Sequence, residues 1–392
     1  MNNRQLFLSH LAQTTDFPLM IEVEKADGIY LYGPNGEKYF DLIAGIGVSN
    51  VGHRHPKVLA AIHDQLDKYL HLMVYGEYVQ SPQTLLAKAL SDTLPDHLDN
   101  VYLVNSGSEA IEGALKLAKR HTGRPNLVSC VDAYHGSSAG SLSVGGNEIF
   151  KRAYRPLLPG ISHIHYGSFS DLVKIDLNTA AVVIETIQGE AGIRVACTQY
   201  FKALRKRCDE TGTLLILDEI QAGFGRTGKF WAFEHFDIIP DMVVCAKGMG
   251  GGMPIGAFVA NKEVMAAFKN NPLLGHITTF GGHPVSAAAS LATIQILHEE
   301  NLINQVEGKA NLFKSLLIHP KIKYIRNKGL MMAVEFESFD VLKPIIDRAI
   351  ALGVITDWFL FCDDSMRLAP PLIITEEEIR EACKLILEAI DG

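Results

Sequence analysis

The sequence predicts an α/β protein with a mostly parallel central sheet and a smaller α+β region after it. Two observations carry that expectation. Short apolar runs recur at Val101–Asn105, Asn126–Val131, Ala180–Glu185, Leu214–Leu217 and Met242–Ala246, with Ile255–Ala260 following a glycine-rich turn. Helical stretches separate several of them, notably Ala110–His121 and Tyr200–Thr211. Such alternation implies a mostly parallel sheet covered on both faces. Past about residue 285 the pattern changes: helices at Val285–Glu299, Phe339–Leu352 and Glu376–Ile390 mix with strands at Lys323–Ile325 and Leu330–Phe336. At 392 residues the chain exceeds one average domain. The expected division is an N-terminal arm (1–40) joining the small domain, a large domain (41–285) and a C-terminal small domain (286–392).

Along the first 40 residues Ile21–Lys25 and Gly28–Tyr32 alternate like short strands, and Gly33-Pro-Asn-Gly36 is a turn signal. His53 and His55 invite a metal reading, but Pro56 opens a helix over Lys57–Leu70 and no third or fourth ligand is in view. The two histidines are therefore expected to be structural.

Composition excludes several function classes. Hydrophobic residues make up 47% and charged residues 20%, which fits a soluble globular core. A net charge of −8 (36 − 44) without a long basic run argues against nucleic acid or an anionic membrane as partner. Six scattered cysteines (130, 197, 208, 245, 362, 383) form no C-x-x-C pair, so reduced thiols in a cytoplasm are expected, with neither a disulfide framework nor zinc. Neither an apolar leader nor a run of about 18 apolar residues is present.

In a sheet of this kind, ligands collect at the carboxyl ends of the strands. Lys247 ends the Met242–Ala246 run, and glycines follow at 248, 250, 251 and 252. A lysine there, under a turn that lets backbone approach closely, can form an imine with an aldehyde cofactor, whereas a loop lysine is the ordinary alternative. Asp218 ends the Leu214–Leu217 run. A carboxylate in that position needs a partner, and a protonated pyridine nitrogen is one; a helix cap or loop salt bridge is another. Ser106-Gly-Ser108 breaks a strand into a helix, leaving N–H groups suited to a phosphate, or a serine that merely caps. Tyr134, before His135-Gly136, offers a flat face for a ring, although tyrosines usually pack in cores.

With these residues in hand, the chain resembles the class-III aminotransferases, which are pyridoxal-phosphate enzymes of fold type I. The resemblance runs through Gly52-His-Arg-His-Pro56, Asn105-Ser-Gly-Ser-Glu-Ala110, Ile187-Gln-Gly-Glu190, the blocks Leu217–Gly228 and Ala246–Gly256, Thr279-Phe-Gly-Gly282 and Arg367-Leu-Ala-Pro-Pro-Leu372. It implies that Lys247 holds pyridoxal phosphate as an imine and shuttles a proton, with pyridoxamine phosphate between two half-reactions. Asp218 would pair with the ring nitrogen, Gln221 would sit near the ring hydroxyl, and Tyr134 would stack on the ring. Gly107 and Ser108 would bind the phosphate. Thr279 would complete the phosphate site of a neighbouring subunit, so a homodimer is implied. Arg367 would take the carboxylate of glutamate or 2-oxoglutarate, the expected acceptor, and Glu190 would pair with Arg367 when an uncharged end occupies the site. An arginine fork suits a carboxylate, and left unpaired it would be costly.

One position departs from the family. Where the ornithine, acetylornithine and 4-aminobutyrate members usually carry a carboxylate-gripping arginine after His-Gly, this chain has Ser137. Arg54 and Arg152 are the replacements the sequence offers without placing them. The donor is thus left open between an amine and an amino acid. Racemisation, epimerisation or an aminomutase reaction on the same cofactor is the alternative chemistry, and a non-catalytic binding protein of the same fold is the alternative class.

Overall fold

The computed structural model describes residues 2–73 and 75–392. Its centre is a seven-stranded sheet: β1 (Asn100–Val104), β2 (Asn126–Cys130), β3 (Ile161–Ile164), β4 (Thr179–Glu185), β5 (Leu214–Asp218), β6 (Met242–Cys245) and β7 (Gly256–Ala260). The spatial order is β1-β7-β6-β5-β4-β2-β3. Strands β6, β5, β4, β2 and β3 pair in parallel, and β7 is antiparallel to both neighbours. The reversal has a simple cause. Only residues 246–255 separate β6 from β7, less than the crossover of about a dozen or more residues that a parallel return needs. Strand β3 escaped the sequence reading because its four residues, Ile-Ser-His-Ile, lie at the sheet edge and are only partly buried.

Every residue of β4 is buried, as are the last four of β5 and all of β6 and β7. That is why these segments read as continuous apolar runs instead of alternating ones. The parallel register sets Glu185 directly beside Asp218 at the carboxyl ends of β4 and β5. Two carboxyl groups in such a setting need partners, and the site is built around how they find them.

After β1 the chain enters a helix at Gly107–Thr122, capped by the Ser106 side chain on Glu109 N and ended by Gly123. Helix Pro284–Glu299 packs against Pro56–Leu66 and Ser81–Ser91. Beyond it, strands Tyr324–Lys328, Met331–Glu335, Cys362–Leu368 and Asp357–Phe359 form an antiparallel sheet in that order. Helices Leu302–Leu316, Phe339–Ala351 and Glu376–Asp391 accompany this sheet.

The N-terminal stretch is more regular than an arm. It holds a helix at Asn3–His10, opened by an Asn2–Gln5 capping box, and strands Lys25–Asp27, Tyr30–Tyr32 and Lys38–Asp41. The 33–36 turn joins the last two strands as an antiparallel hairpin, and Val354–Ile355 pairs in parallel with Lys38–Asp41. His53 Nε2 meets Asp41 Oδ2 at 2.7 Å, and His55 caps Lys57 N. Among the described residues no group of three or more His, Cys, Asp and Glu suits a metal, and no helix is long and apolar enough to cross a membrane.

Arg226 ties these parts together. Although almost fully buried, its guanidinium donates to the carbonyls of Leu330 and Pro370 and to Asn50 Oδ1. Burial pushes its pKa down to about 9, with Asp41 opposing the shift.

Candidate active site

A cavity of about 780 Å³ opens at the carboxyl ends of β4, β5 and β6. Gly107, Ser108, Tyr134, Glu190, Asp218, Gln221 and Lys247 all line it. Arg367 reaches it through Glu190, while Thr279 is exposed and lies off this wall.

Lys247 follows the end of β6 with φ +46°, a left-handed conformation that non-glycine residues seldom adopt. Such strain costs roughly 1–3 kcal/mol and persists where the surroundings hold it. The side chain keeps partial access through the cavity. Burial of the amine pulls its pKa below the lysine range; Glu190 opposes, and Arg367 adds to the fall. A lysine so placed releases its proton more readily than one in water.

Asp218, 4% exposed, uses both oxygens. Oδ1 accepts from Ile220 N at 2.9 Å, and Oδ2 lies 2.7 Å from His135 Nδ1. Each oxygen still has a lone pair for a further donor. His135 is itself buried, with Nε2 3.2 Å from Ser129 Oγ. Burial alone would lower its pKa, but the Asp218 contact outweighs that and the net shift is upward. The sequence reading noted His135 without giving it work; its position behind Asp218 is a tertiary fact.

Glu185, the neighbour of Asp218, accepts from Tyr134 N at 3.1 Å and Gly189 N at 2.9 Å. Burial raises its pKa to about 7, with Asp218 adding and His135 subtracting. A folded pKa raised above the unfolded value means this carboxyl favours the folded state at low pH, and that contribution is lost as pH rises through about 7. The stability difference between the cofactor-free wild type and Glu185→Gln should therefore move against the wild type by roughly 2–3 kcal/mol between pH 5 and 8. Urea midpoints across that range check it, and a pH-independent difference would contradict it.

At the opposite wall, Ser106 Oγ caps Glu109 N and Ser106 O takes Ala110 N, so the helix N–H groups of Gly107 and Ser108 come ahead of the first capped one. A Cβ on Gly107 would sit 2.8 Å from Ile220 Cδ1, so a larger residue there would require Ile220 to shift. Ser108 Oγ engages Ser138 Oγ and Ser141 Oγ at 2.7 and 2.8 Å. Gly136, at φ +124°, lets the Tyr134–Ser137 segment pass within reach of Ser108, where a Cβ would be 2.5 Å from Ser108 Oγ.

The remaining wall carries an ion pair. Arg367 Nη1 and Nη2 meet Glu190 Oε1 and Oε2 at 2.8 and 3.0 Å, while Arg367 Nε meets Asp357 Oδ1 at 2.9 Å. Burial would raise the Glu190 pKa, but Arg367 more than offsets it and holds Glu190 ionised. Gln221 Nε2 touches Glu190 Oε1 at 3.4 Å. The sequence reading missed Asp357, which faces Arg367 across the hairpin Asp357–Phe359/Cys362–Leu368. No clear strand pattern marks that hairpin in the sequence, and its register is irregular at Trp358/Phe359. Neither Arg54 nor Arg152 lines this cavity; both are exposed.

The comparisons with known proteins agree with this geometry. The family model for aminotransferase class-III matches residues 11–390. The chain is 37% identical to an acetylornithine aminotransferase of Methanopyrus kandleri, over 97% of this chain and 96% of the relative. It is 34% identical to a LysW-aminoadipate semialdehyde/glutamate semialdehyde transaminase of Sulfolobus acidocaldarius, covering 94% and 95%. The crystal structure of ornithine aminotransferase from Toxoplasma gondii superposes with a TM-score of 0.92 at 28% identity, covering 100% of this chain and 95% of that one. The chain belongs to the class-III aminotransferases and is a pyridoxal-phosphate-dependent enzyme that moves an amino group from a donor to a keto acid.

Proposed function

We propose that the enzyme alternates between an amino donor and 2-oxoglutarate in this cavity, with Lys247 as proton carrier and the Glu190–Arg367 pair as the element that admits either substrate. The observation that carries the reading is the convergence of Lys247, Asp218 and the Gly107–Ser108 turn on one cavity. Those groups fit pyridoxal phosphate: an amine, a carboxylate with lone pairs to spare, and helix N–H groups for an anion. When bound, that cofactor supplies an aldehyde carbon that takes amines covalently and a ring that accepts electrons. Lys247 Nζ would hold it and move a proton at the substrate carbon. Asp218, backed by His135, would hold the proton of the ring nitrogen, while Gln221 would meet the ring hydroxyl. Tyr134 would cover the ring face, and Gly107 and Ser108 would bind the phosphate.

Glu190 and Arg367 then divide the substrates. Paired as they are, they present a neutralised wall to an uncharged end; when a substrate carboxylate arrives, Arg367 can exchange Glu190 for it without standing unpaired. Replacing Arg367 with alanine should raise KM for 2-oxoglutarate about 100-fold, well beyond the loss for an amine donor without a carboxylate. Steady-state kinetics with both substrates decide this, and equal losses would count against a carboxylate role.

The reading includes a homodimer, in which the exposed Thr279 completes the phosphate site of the neighbouring subunit. It also includes a cytoplasmic setting, which the six unpaired cysteines suit.

A further inference from the structure

A second cavity of about 440 Å³ lies beside the first, and the two share Tyr134, His135, Gly136 and Ser137 as a common wall. Ser137 is exposed, and its hydroxyl lies 3.3 Å from the Tyr134 hydroxyl, so the rim of this shared wall is polar. Beyond it the lining turns apolar: Ala139, Leu142, Phe150, Leu157 and Phe361. Phe150 meets Phe361 edge-on at 5.2 Å. Two polar side chains of this wall are already engaged, while Tyr154, also on it, is exposed. Lys151 Nζ donates to Gly145 O at 2.9 Å and lies 3.6 Å from Glu148, while the Asn147 side chain bonds Asp132 Oδ1 and Ile149 N. Among the described residues no arginine lines either cavity.

Phe361 also connects to the acidic member of the ion pair. Its N–H donates to Glu190 O at 3.0 Å, and Leu360 N donates to Glu190 Oε2 at 3.1 Å. One short segment thus positions both Glu190 and an apolar wall. An uncharged donor that leaves the Glu190–Arg367 pair closed would find Phe361 held in place beside it.

We propose that this second cavity is a subsite for the non-reacting end of the amino donor, and that this end is an apolar alkyl or aryl group. The inference rests on the aminotransferase reading of the first cavity and adds the donor class to it. A dry cavity of about 150 Å³ already admits a benzene ring, so 440 Å³ holds a phenylalkyl tail. A distal carboxylate would meet mostly apolar side chains, an already paired lysine and the Tyr154 hydroxyl, with no unpaired cation among the lining residues to offset its desolvation.

The test uses the cofactor-loaded enzyme with 2-oxoglutarate and, in parallel, pyruvate, against propylamine, pentylamine, 3-phenylpropylamine, 4-aminobutyrate and ornithine. Among the three amines without a carboxylate kcat/KM should climb with the size of the apolar tail, about fourfold per methylene from propylamine to pentylamine, with 3-phenylpropylamine above both carboxylate-bearing donors. Ala139→Trp, which fills the cavity, and Phe150→Asp, at an exposed position that tolerates change in the fold, should each flatten that climb. Calorimetry with 3-phenylpropan-1-ol, which has the tail without the amine, should show binding to the wild type that both variants lose. A flat series, or a preference for 4-aminobutyrate or ornithine, would overturn the subsite while leaving the aminotransferase reading intact. Absence of amino transfer from every donor to either keto acid would overturn that reading, and the subsite with it.

Discussion

Lys247→Ala should lose turnover by at least about 10⁴-fold, because the same amine would hold the cofactor and carry the proton. Few positions in the chain combine so many costs. The residue sits at φ +46° and its amine is desolvated, with Glu190 and Arg367 acting on it in opposite senses. A lysine with only a structural task would gain nothing from such a place, since alanine there removes the buried cation. The variant should therefore fold at least as well as the wild type while being inactive, and a denaturation curve alongside the assay separates the two effects. Ordinary turnover by a folded Lys247→Ala protein would remove the centre of the mechanism.

Asp218→Ala comes second, with an expected loss on the order of 10²–10³-fold in kcat. The carboxylate lies between Ile220 N and His135, beside Glu185. Removing it would delete the proposed partner of the ring nitrogen and leave His135 buried without its carboxylate partner, so stability should fall as well. Asp218→Asn keeps the shape and one acceptor but not the charge. It should recover stability more than rate, and rates near the wild type in both variants would show that Asp218 serves the fold alone.

Much of this site could be read from the chain because the residues concerned interrupt a pattern. Asp218 and Lys247 end apolar runs, and a charge at the end of a buried strand needs an explanation wherever the strand leads. Ser106–Ser108 was legible for the same reason, as a small-residue break between strand and helix. What stayed hidden depends on pairing between distant segments. The contact of Glu185 with Asp218 follows from the β4–β5 register, and the contact of His135 with Asp218 from the loop after β2 folding over β5. Asp357 meets Arg367 through an irregular hairpin whose strands the sequence did not announce. The reversed β7 was hidden because a fully buried strand reads the same in either direction. Ser137 was legible as a departure from the family, but the apolar cavity beyond it is assembled from residues between 133 and 157 together with Phe361.

Lys247 would be the covalent anchor of pyridoxal phosphate. Borohydride reduction of the holoenzyme, followed by proteolysis and peptide mass mapping, tests this most directly. The reduced cofactor is expected on the Nζ of Lys247 and on no other lysine. A modified lysine elsewhere, with Lys247 left untouched, would contradict it.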